Sequence, residues 1–408
     1  MRKIFYGWWV VIGAFILLLC TTGSRIYAFP VFFEAMLHDT GWSRAQTAGA
    51  LSLGLLLSGS LTPVIGMLIH KIGVRRIMVS GSLIACIGYI LLSTVTEIWQ
   101  FYLFYGVIVA IGSACTSIVP NMTAVEGWFA QKKSTALGIA SAGVGAGGAV
   151  MAPVAGTLIA LYGWHTSFLY LAGIIALIGI PVSFFIMRTP NEKTYSSAKS
   201  PQETIEQDNL PGLAGVSLRQ AMKTKAFWLI SAAAMLWAWS YSTGLIHQVA
   251  FAVDIGIEKL AAAGAVGLLS GFSIPSRVLF GRLGDTMQKR YVFMMGTLLQ
   301  MIAFIVLMGT TSIGMLYLYA ALIGFNLGAV TPILPGLIAE HFGRRHFGTI
   351  YGAAFFLQTL GMVIGPIFAG WIFDNSGSYY SAFLTAASLS FASMIAIYFT
   401  GNASPAKK

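Results

Sequence analysis

Charged and turn-forming residues cut this chain into long apolar runs, and their spacing predicts its architecture. The runs fall at 6–28, 44–69, 76–95, 100–126, 135–161 and 167–187, then at 227–250, 260–281, 291–309, 314–338, 349–372 and 379–400. Each approaches the roughly 20 mostly apolar residues that a membrane-spanning helix needs. None alternates apolar and polar residues as barrel strands do. The pattern therefore predicts an all-α integral membrane protein with twelve transmembrane helices. The one long polar segment, 188–224, carries Ser196, Ser197, Ser200, Pro201 and Pro211 and reads as a solvated tether. It separates an N-terminal six-helix bundle, 1–187, from a C-terminal one, 225–408, and is itself a cytoplasmic linker. The first run, with Leu17-Leu18-Leu19-Cys20, imitates a lipoprotein signal. Small residues are missing before the cysteine and the apolar pattern continues past it, so it reads as an uncleaved first helix.

The two halves repeat. Gly41-Trp-Ser-Arg opens the second span and Gly256-Ile-Glu-Lys opens the eighth, 215 residues later. Gly66-Met-Leu-Ile-His-Lys-Ile-Gly-Val-Arg-Arg closes the second, and Gly281-Arg-Leu-Gly-Asp closes the eighth at the same offset. Pro153 and Pro366 match at an offset of 213. A parallel repeat of six helices implies a substrate site near mid-membrane at the repeat interface, with rocking as the transport motion.

Composition changes this picture little, but the placement of charge changes it a great deal. Of 408 residues, 57% are hydrophobic and 9% charged, against roughly 25% charged in soluble proteins. That excludes a soluble globular domain, a nucleic-acid-binding protein and a disordered chain. The net charge of +11 comes from 24 Lys and Arg against 13 Asp and Glu. With both termini cytoplasmic, twenty of those 24 cations line the cytoplasmic side and only Arg44 and Lys259 lie opposite. The positive-inside rule thus predicts the orientation, in a plasma membrane, the inner membrane for a bacterium. Glu34, Asp39, Glu97, Asp254, Glu258 and Asp374 are expected outside.

Two cations remain: Arg25 in the outer half of the first span and Arg277 inside the eighth. Glu126 and Glu340 sit at helix ends, so no carboxylate is expected at comparable depth. A buried arginine costs at least ~2.5–3.5 kcal/mol on insertion scales and marks function by default. Unpaired guanidinium groups favour an anion as cargo. Arg277 follows Ser270 and Ser273 on one helical face, and its planar fork can grip a carboxylate through two parallel hydrogen bonds. Arg25, near Thr21, Thr22 and Tyr27, reads as a second anion contact, an outer-gate residue or a snorkelling cation. His247 shares a face with Ser240 and Thr243 and suits proton coupling; a hydrogen bond between helices explains it as well. Trp237, Trp239 and Tyr241 read mainly as packing, and Asn121 and Asn326 as interhelical hydrogen bonders.

Several stretches together resemble the major facilitator superfamily over essentially the whole chain. The loops after spans two and eight are similar to its G-x-L-x-D-R-x-G-R-R signature, with His70 and Lys71 where Asp and Arg are usual. The resemblance implies a conformational latch built from Gly66, Arg75, Arg76, Gly281, Arg282 and Asp285. Within the superfamily, Tyr6-Gly-Trp-Trp-Val-Val, Tyr27-Ala-Phe-Pro30, Trp128-Phe-Ala-Gln-Lys-Lys, Ala140-Ser-Ala-Gly-Val-Gly-Ala-Gly-Gly and Gly163-Trp-His resemble the monocarboxylate transporter and oxalate/formate antiporter branch. Ser276-Arg277 coincides with that branch's substrate-binding arginine. Val31 stands where the animal transporters carry a lysine, Ser273 where they carry an aspartate, and Ala354 where the oxalate transporter has its second cation. One central arginine suits a single carboxylate, although Arg25 leaves a second cation open.

The expected activity is secondary active transport of small organic monocarboxylates, lactate- or pyruvate-like, by proton symport. Arg277, Arg25, Tyr27, Ser273 and His247 are the candidate substrate contacts, with His247 also the proton-coupling residue. Anion exchange of the oxalate/formate type is the alternative; drug efflux fits less well because it leaves Arg277 unexplained. A non-transporting, receptor-like member has no appended signalling domain to support it. The expected partners are the carboxylate, protons and the lipid bilayer, with no nucleic acid, and the working unit is a monomer. No cofactor or metal is expected: Cys20, Cys86 and Cys115 lack ligand spacing. The run Gly143 to Gly148 lacks a Gly-Lys-Ser/Thr ending and reads as close helix packing, not a phosphate loop. With no nucleophile–base pair anywhere, the chain is not an enzyme.

Overall fold

The structure, a computed structural model, describes residues 5–126, 128–129, 133–188, 216–343 and 347–401. Helices account for its regular structure, with no β-strand among the described residues. Among the described residues, ten stretches are long and apolar enough to cross a membrane. One of them, Ala136–Ile186, is 51 residues long and breaks at Gly163, where φ is 74°, so it holds two crossings. Helix Arg44–Ile72, 29 residues long, supplies the remaining one. The twelve helices are α1 Tyr6–Thr40, α2 Arg44–Ile72, α3 Val74–Leu92, α4 Ile98–Val125, α5 at 133–162 and α6 at 164–186. The second six are α7 Lys225–Asp254, α8 Lys259–Thr286, α9 Lys289–Met308, α10 Ile313–Phe342, α11 Phe347–Ser376 and α12 Tyr380–Tyr398.

The repeat seen in the sequence has a backbone counterpart. Gly41 and Gly256, which precede α2 and α8, both adopt positive φ, 68° and 89°. Gly163 and Gly377, which precede α6 and α12, do so too, at 74° and 67°. A side chain at such a position is strained, so these glycines fix the same sharp corners in both halves.

Two units emerge from the packing: residues 1–39 with 53–210, and residues 40–52 with 211–408. The first turns of α2 therefore group with the second unit. In the first unit, α1 lies directly on α5. A Cβ at Gly143 would run into the carbonyl oxygen of Phe15, and one at Gly147 would come within 2.6 Å of Leu19 O. The glycine run thus closes a helix crossing, as its spacing predicts. Val10, Val11, Ala14, Leu17, Ile77 and Val125 build the core beside it. In the second unit, Gly361 and Gly365 of α11 face the backbone of α7 at Met235 and Trp239 in the same way. Residues such as Leu177, 80% exposed, point outward as a lipid-facing surface requires.

Most expected spans match their helices to within a few residues, with one large difference. The first span does not end near 28. A π-helical turn at Gly23–Tyr27 carries it into Phe29–Thr40, because Pro30 stands in the first turn of the new segment, where its missing N–H costs nothing. Glu34 is consequently a buried residue of α1, 7% exposed. The linker residues 189–215 lie outside the described residues. Beyond them, Thr224 Oγ1 caps α7 by accepting from Phe227 N at 3.2 Å.

Candidate functional site

Arg277 sits two residues after Pro275, a proline inside α8. Proline cannot donate to the carbonyl four residues back and loosens the helix there. On the same face, Ser270 and Ser273 are fully buried. Ser273 Oγ donates to Ser270 O at 2.7 Å, whereas Ser270 Oγ is buried without a partner. Ser276 Oγ donates to Phe325 O of α10 at 2.6 Å. Gly328 makes that approach possible, since a Cβ there would strike the Ser276 side chain. The Arg277 backbone is thereby clamped between α8 and α10, while its Nε is buried without a hydrogen-bond partner. Fixed backbone and unspent donors are what an anion-gripping guanidinium requires.

Arg25 belongs to the first unit and lies in the π-helical turn of α1. It is 6% exposed, which overturns the snorkelling expectation. Its Nε and Nη2 are buried without partners, as is Ser24 Oγ. Gly54 of α2 leaves room for the guanidinium, with Nη2 3.1 Å from where a Cβ would be. Tyr105 OH donates to the Arg25 carbonyl oxygen, an acceptor that the wider π turn leaves accessible. Tyr27, 4% exposed, is buried in the same turn.

His247 lies in α7 with both ring nitrogens engaged: Nε2 is 2.9 Å from Pro366 O and Nδ1 is 2.9 Å from Tyr379 Oη. A carbonyl oxygen can only accept, so Nε2 carries the proton and Nδ1 of the neutral ring accepts from the Tyr379 hydroxyl. The Tyr379 oxygen in turn accepts from Arg44 Nη1 at 2.6 Å. Arg44 also binds Asp254 at 2.9 Å and lies 3.7 Å over the Phe373 ring. The backbone N–H groups of Arg44 and Ala45 donate to the Asp374 carboxylate, both at 3.0 Å. The Tyr379 hydroxyl therefore accepts from Arg44 and donates to His247. The result is a directed chain within the second unit, from Arg44 through Tyr379 to His247 and on to Pro366.

The internal repeat tests whether the fold itself needs this chain. At the 215-residue offset, His247 corresponds to Phe32, Tyr379 to Trp164, Asp254 to Asp39 and Phe383 to Phe168. Phe32 stacks on Phe168 with centroids 4.1 Å apart, and Trp164 Nε1 donates to Asp39 at 2.9 Å. The first unit thus closes the same corner with an apolar stack. A histidine is therefore an addition at this corner, not a requirement of the fold. Sequence reasoning found His247 but missed Arg44, Tyr379 and Asp374. The signals available were Arg44 in the repeated Gly-Trp-Ser-Arg and Tyr379 in the loop facing it.

The remaining candidates divide. Trp237 stacks on Tyr241 at 5.5 Å and donates through Nε1 to Asn326 Oδ1 at 3.0 Å, while Asn326 Nδ2 donates to Gly296 O at 2.8 Å; both serve helix packing. Asn121 Nδ2 donates to Thr116 O and Ser117 O within its own helix. Of the latch residues, Arg75 lies 4.0 Å over the Phe184 ring, Arg76 and Arg282 are exposed, and Gly66 and Gly281 border open space. The Asp285 side chain lies outside the described residues. No group of His, Cys, Asp and Glu able to hold a metal occurs among the described residues.

Comparison with known proteins places this geometry. Monocarboxylate transporter 12 of Mus musculus is 25% identical over 401 residues, covering 93% of this chain and 82% of that protein. Monocarboxylate transporter 4 of Gallus gallus is 26% identical over 390 residues, covering 93% and 80%. A bacterial homologue of the human lysosomal transporter Spinster, solved in an inward-facing, occupied conformation, shares the fold with a TM-score of 0.73 at 16% identity, covering 98% of this chain and 96% of that one. The Major Facilitator Superfamily model matches residues 14–363 and 250–408. An all-helical, twelve-span chain with a parallel six-helix repeat thus belongs to the major facilitator superfamily, and it is a transporter, not an enzyme.

Proposed function

We propose that this protein carries small organic monocarboxylates across the membrane by proton-coupled symport, with both termini on the cytoplasmic side. The observation that carries this reading is Arg277: a guanidinium on a backbone-clamped, proline-loosened helix, with a buried and unpartnered Nε. Monocarboxylate transporters among its relatives agree with a single-carboxylate cargo. Arg277 grips the carboxylate through paired hydrogen bonds, each charge-assisted bond contributing about 1.5–3 kcal/mol. Ser270 and Ser273 line the same face. Neutralising Arg277 with the substrate anion makes the loaded carrier electrically cheaper to reorganise than one holding an uncompensated cation within an apolar helix.

His247 couples the proton. When the ring is protonated, Nδ1 becomes a donor facing the Tyr379 oxygen that already accepts from Arg44. The Tyr379 hydroxyl proton must then turn away, leaving its oxygen between two cationic donors, whose mutual repulsion weakens the seat of Arg44. Loading a proton and loosening the first turns of α2 become one event.

Anion exchange of the oxalate/formate type is the second reading, favoured by a second buried guanidinium, that of Arg25, whose Nε and Nη2 have no partner. Proteoliposomes separate the two. Labelled lactate that accumulates under an imposed pH gradient supports symport. Accumulation only in oxalate-loaded vesicles, indifferent to the gradient, refutes symport and supports exchange.

A further inference from the structure

A second basic site lies in the second unit, on helices α9 and α10. The start of α9 and the end of α10 border a half-open cavity of about 250 Å³ lined by Lys289, Arg290, Leu337, Glu340 and His341. That is smaller than the ~300–1,000 Å³ typical of drug-sized ligands and suits a single compact charged group. The charge pattern of the chain assigns this end to the cytoplasmic rim.

The cavity is built rather than incidental. Gly336 of α10 lets the Lys289 stem lie flat, since a Cβ there would come within 2.6 Å of Lys289 Cδ. This delivers the ammonium to Glu340, its ion-pair partner, and leaves the ammonium donors that face away from Glu340. Arg290 is held by its ring partner: Nη2 donates to Tyr291 Oη at 2.8 Å, with the guanidinium 4.6 Å over that ring. Its Nε is nevertheless buried without a partner. His341 Nδ1 lies 3.0 Å from Leu337 O, and a carbonyl only accepts, so Nδ1 carries the proton. Its Nε2 is then the second buried atom here without a partner. The cavity also meets the N-terminus of a 20-residue helix whose first turn holds no acidic residue. Its unpaired backbone N–H groups favour negative charge.

We propose that this cavity binds a phosphate group. Among the described residues, two cations against one carboxylate, a helix N-terminus and two unspent buried nitrogens match its charge and its several acceptor oxygens. Ionised phosphate oxygens can accept from Arg290 and Lys289 while a glycerol hydroxyl beside the phosphate, or the P–OH of a monoester, donates to His341 Nε2, which a bare ionised carboxylate cannot do. Two sources offer that chemistry: the headgroup of an anionic phospholipid in the adjoining leaflet, or a soluble phosphate ester.

The full-length protein in detergent, titrated separately with short-chain phosphatidylglycerol, short-chain phosphatidylcholine and glycerol 3-phosphate, tests this by the shift in its unfolding midpoint. A saturable rise with phosphatidylglycerol alone assigns the site to the membrane; a rise with glycerol 3-phosphate as well assigns it to a soluble ester. In either case Arg290→Gln weakens the half-saturating concentration at least tenfold, and Arg219→Gln, a cation outside the cavity, leaves it unchanged. His341→Gln provides an independent reading should Arg290→Gln fold poorly. The proposal is overturned by the absence of a saturable response to either acidic probe, by an equal response to phosphatidylcholine, or by unchanged affinity in the variants.

Discussion

Replacing Tyr379 by Phe removes one oxygen atom and breaks the chain from Arg44 to His247 at its middle. The ring itself keeps its place, stacked on Phe383 at 5.3 Å and against Phe373 at 4.6 Å, so packing is retained. Two terms remain. Arg44 loses a charge-assisted hydrogen bond of 2.6 Å but keeps Asp254 and the Phe373 face, which limits the loss to roughly 1 kcal/mol. His247, fully buried, loses the donor to Nδ1, and an orphaned buried polar atom costs about 1–3 kcal/mol. The variant should therefore be less stable by about 2–4 kcal/mol, measured by denaturant titration in mixed micelles. The repeat suggests the rescue. His247→Phe recreates the Phe32 arrangement of the first unit, where an apolar stack suffices. Replacing both polar partners by apolar groups is nearly neutral, so the double variant His247→Phe/Tyr379→Phe should cost at least ~1 kcal/mol less than the sum of the single changes. It should also lose gradient-driven accumulation while still folding. Additive single and double effects, within about 0.5 kcal/mol, would refute the chain as a coupled unit.

Other consequences follow from the same geometry. Gly143→Ala drives a methyl group into the Phe15 carbonyl and should destabilise by about 1–3 kcal/mol, whereas Gly138→Ala, with nothing within 4 Å, should be neutral or stabilising by up to ~1 kcal/mol; thermal unfolding distinguishes them. Gly328→Ala pushes apart the Ser276 clamp and should raise the KM for substrate with a smaller change in stability, read by transport kinetics beside the unfolding midpoint. Arg277→Lys keeps the charge but loses the planar fork, so KM should rise at least tenfold, about 1.4 kcal/mol. Asp254→Asn leaves Arg44 with Tyr379 and Phe373 only; the half-exposed ion pair limits the stability cost to roughly 1 kcal/mol.

Hydrophobic pattern alone revealed most of the helices, because twelve apolar runs between charged breaks leave few alternatives. The repeat was legible in Gly41 and Gly256, whose positive φ angles show why glycine recurs there. Arg277 and Arg25 stood out because charge is costly in apolar helices. What the sequence could not show were partners distant in the chain. Arg44 looked like one of two outward-side cations, yet it meets Asp254 and Tyr379, more than 200 residues away. The first span was expected to end near residue 28, whereas the π-helical turn carries α1 on through Glu34. Likewise, the unspent nitrogens of Arg290 and His341 become visible only once α9 and α10 are packed together.

Binding and transport by the Arg277 variants test the central claim most directly. Proteoliposomes under an inward proton gradient should accumulate labelled lactate with the wild-type chain. Arg277→Gln and Arg277→Ala should abolish accumulation although both variants fold, and Arg277→Lys should restore part of it at high substrate concentration. Wild-type accumulation with Arg277→Ala would contradict the account.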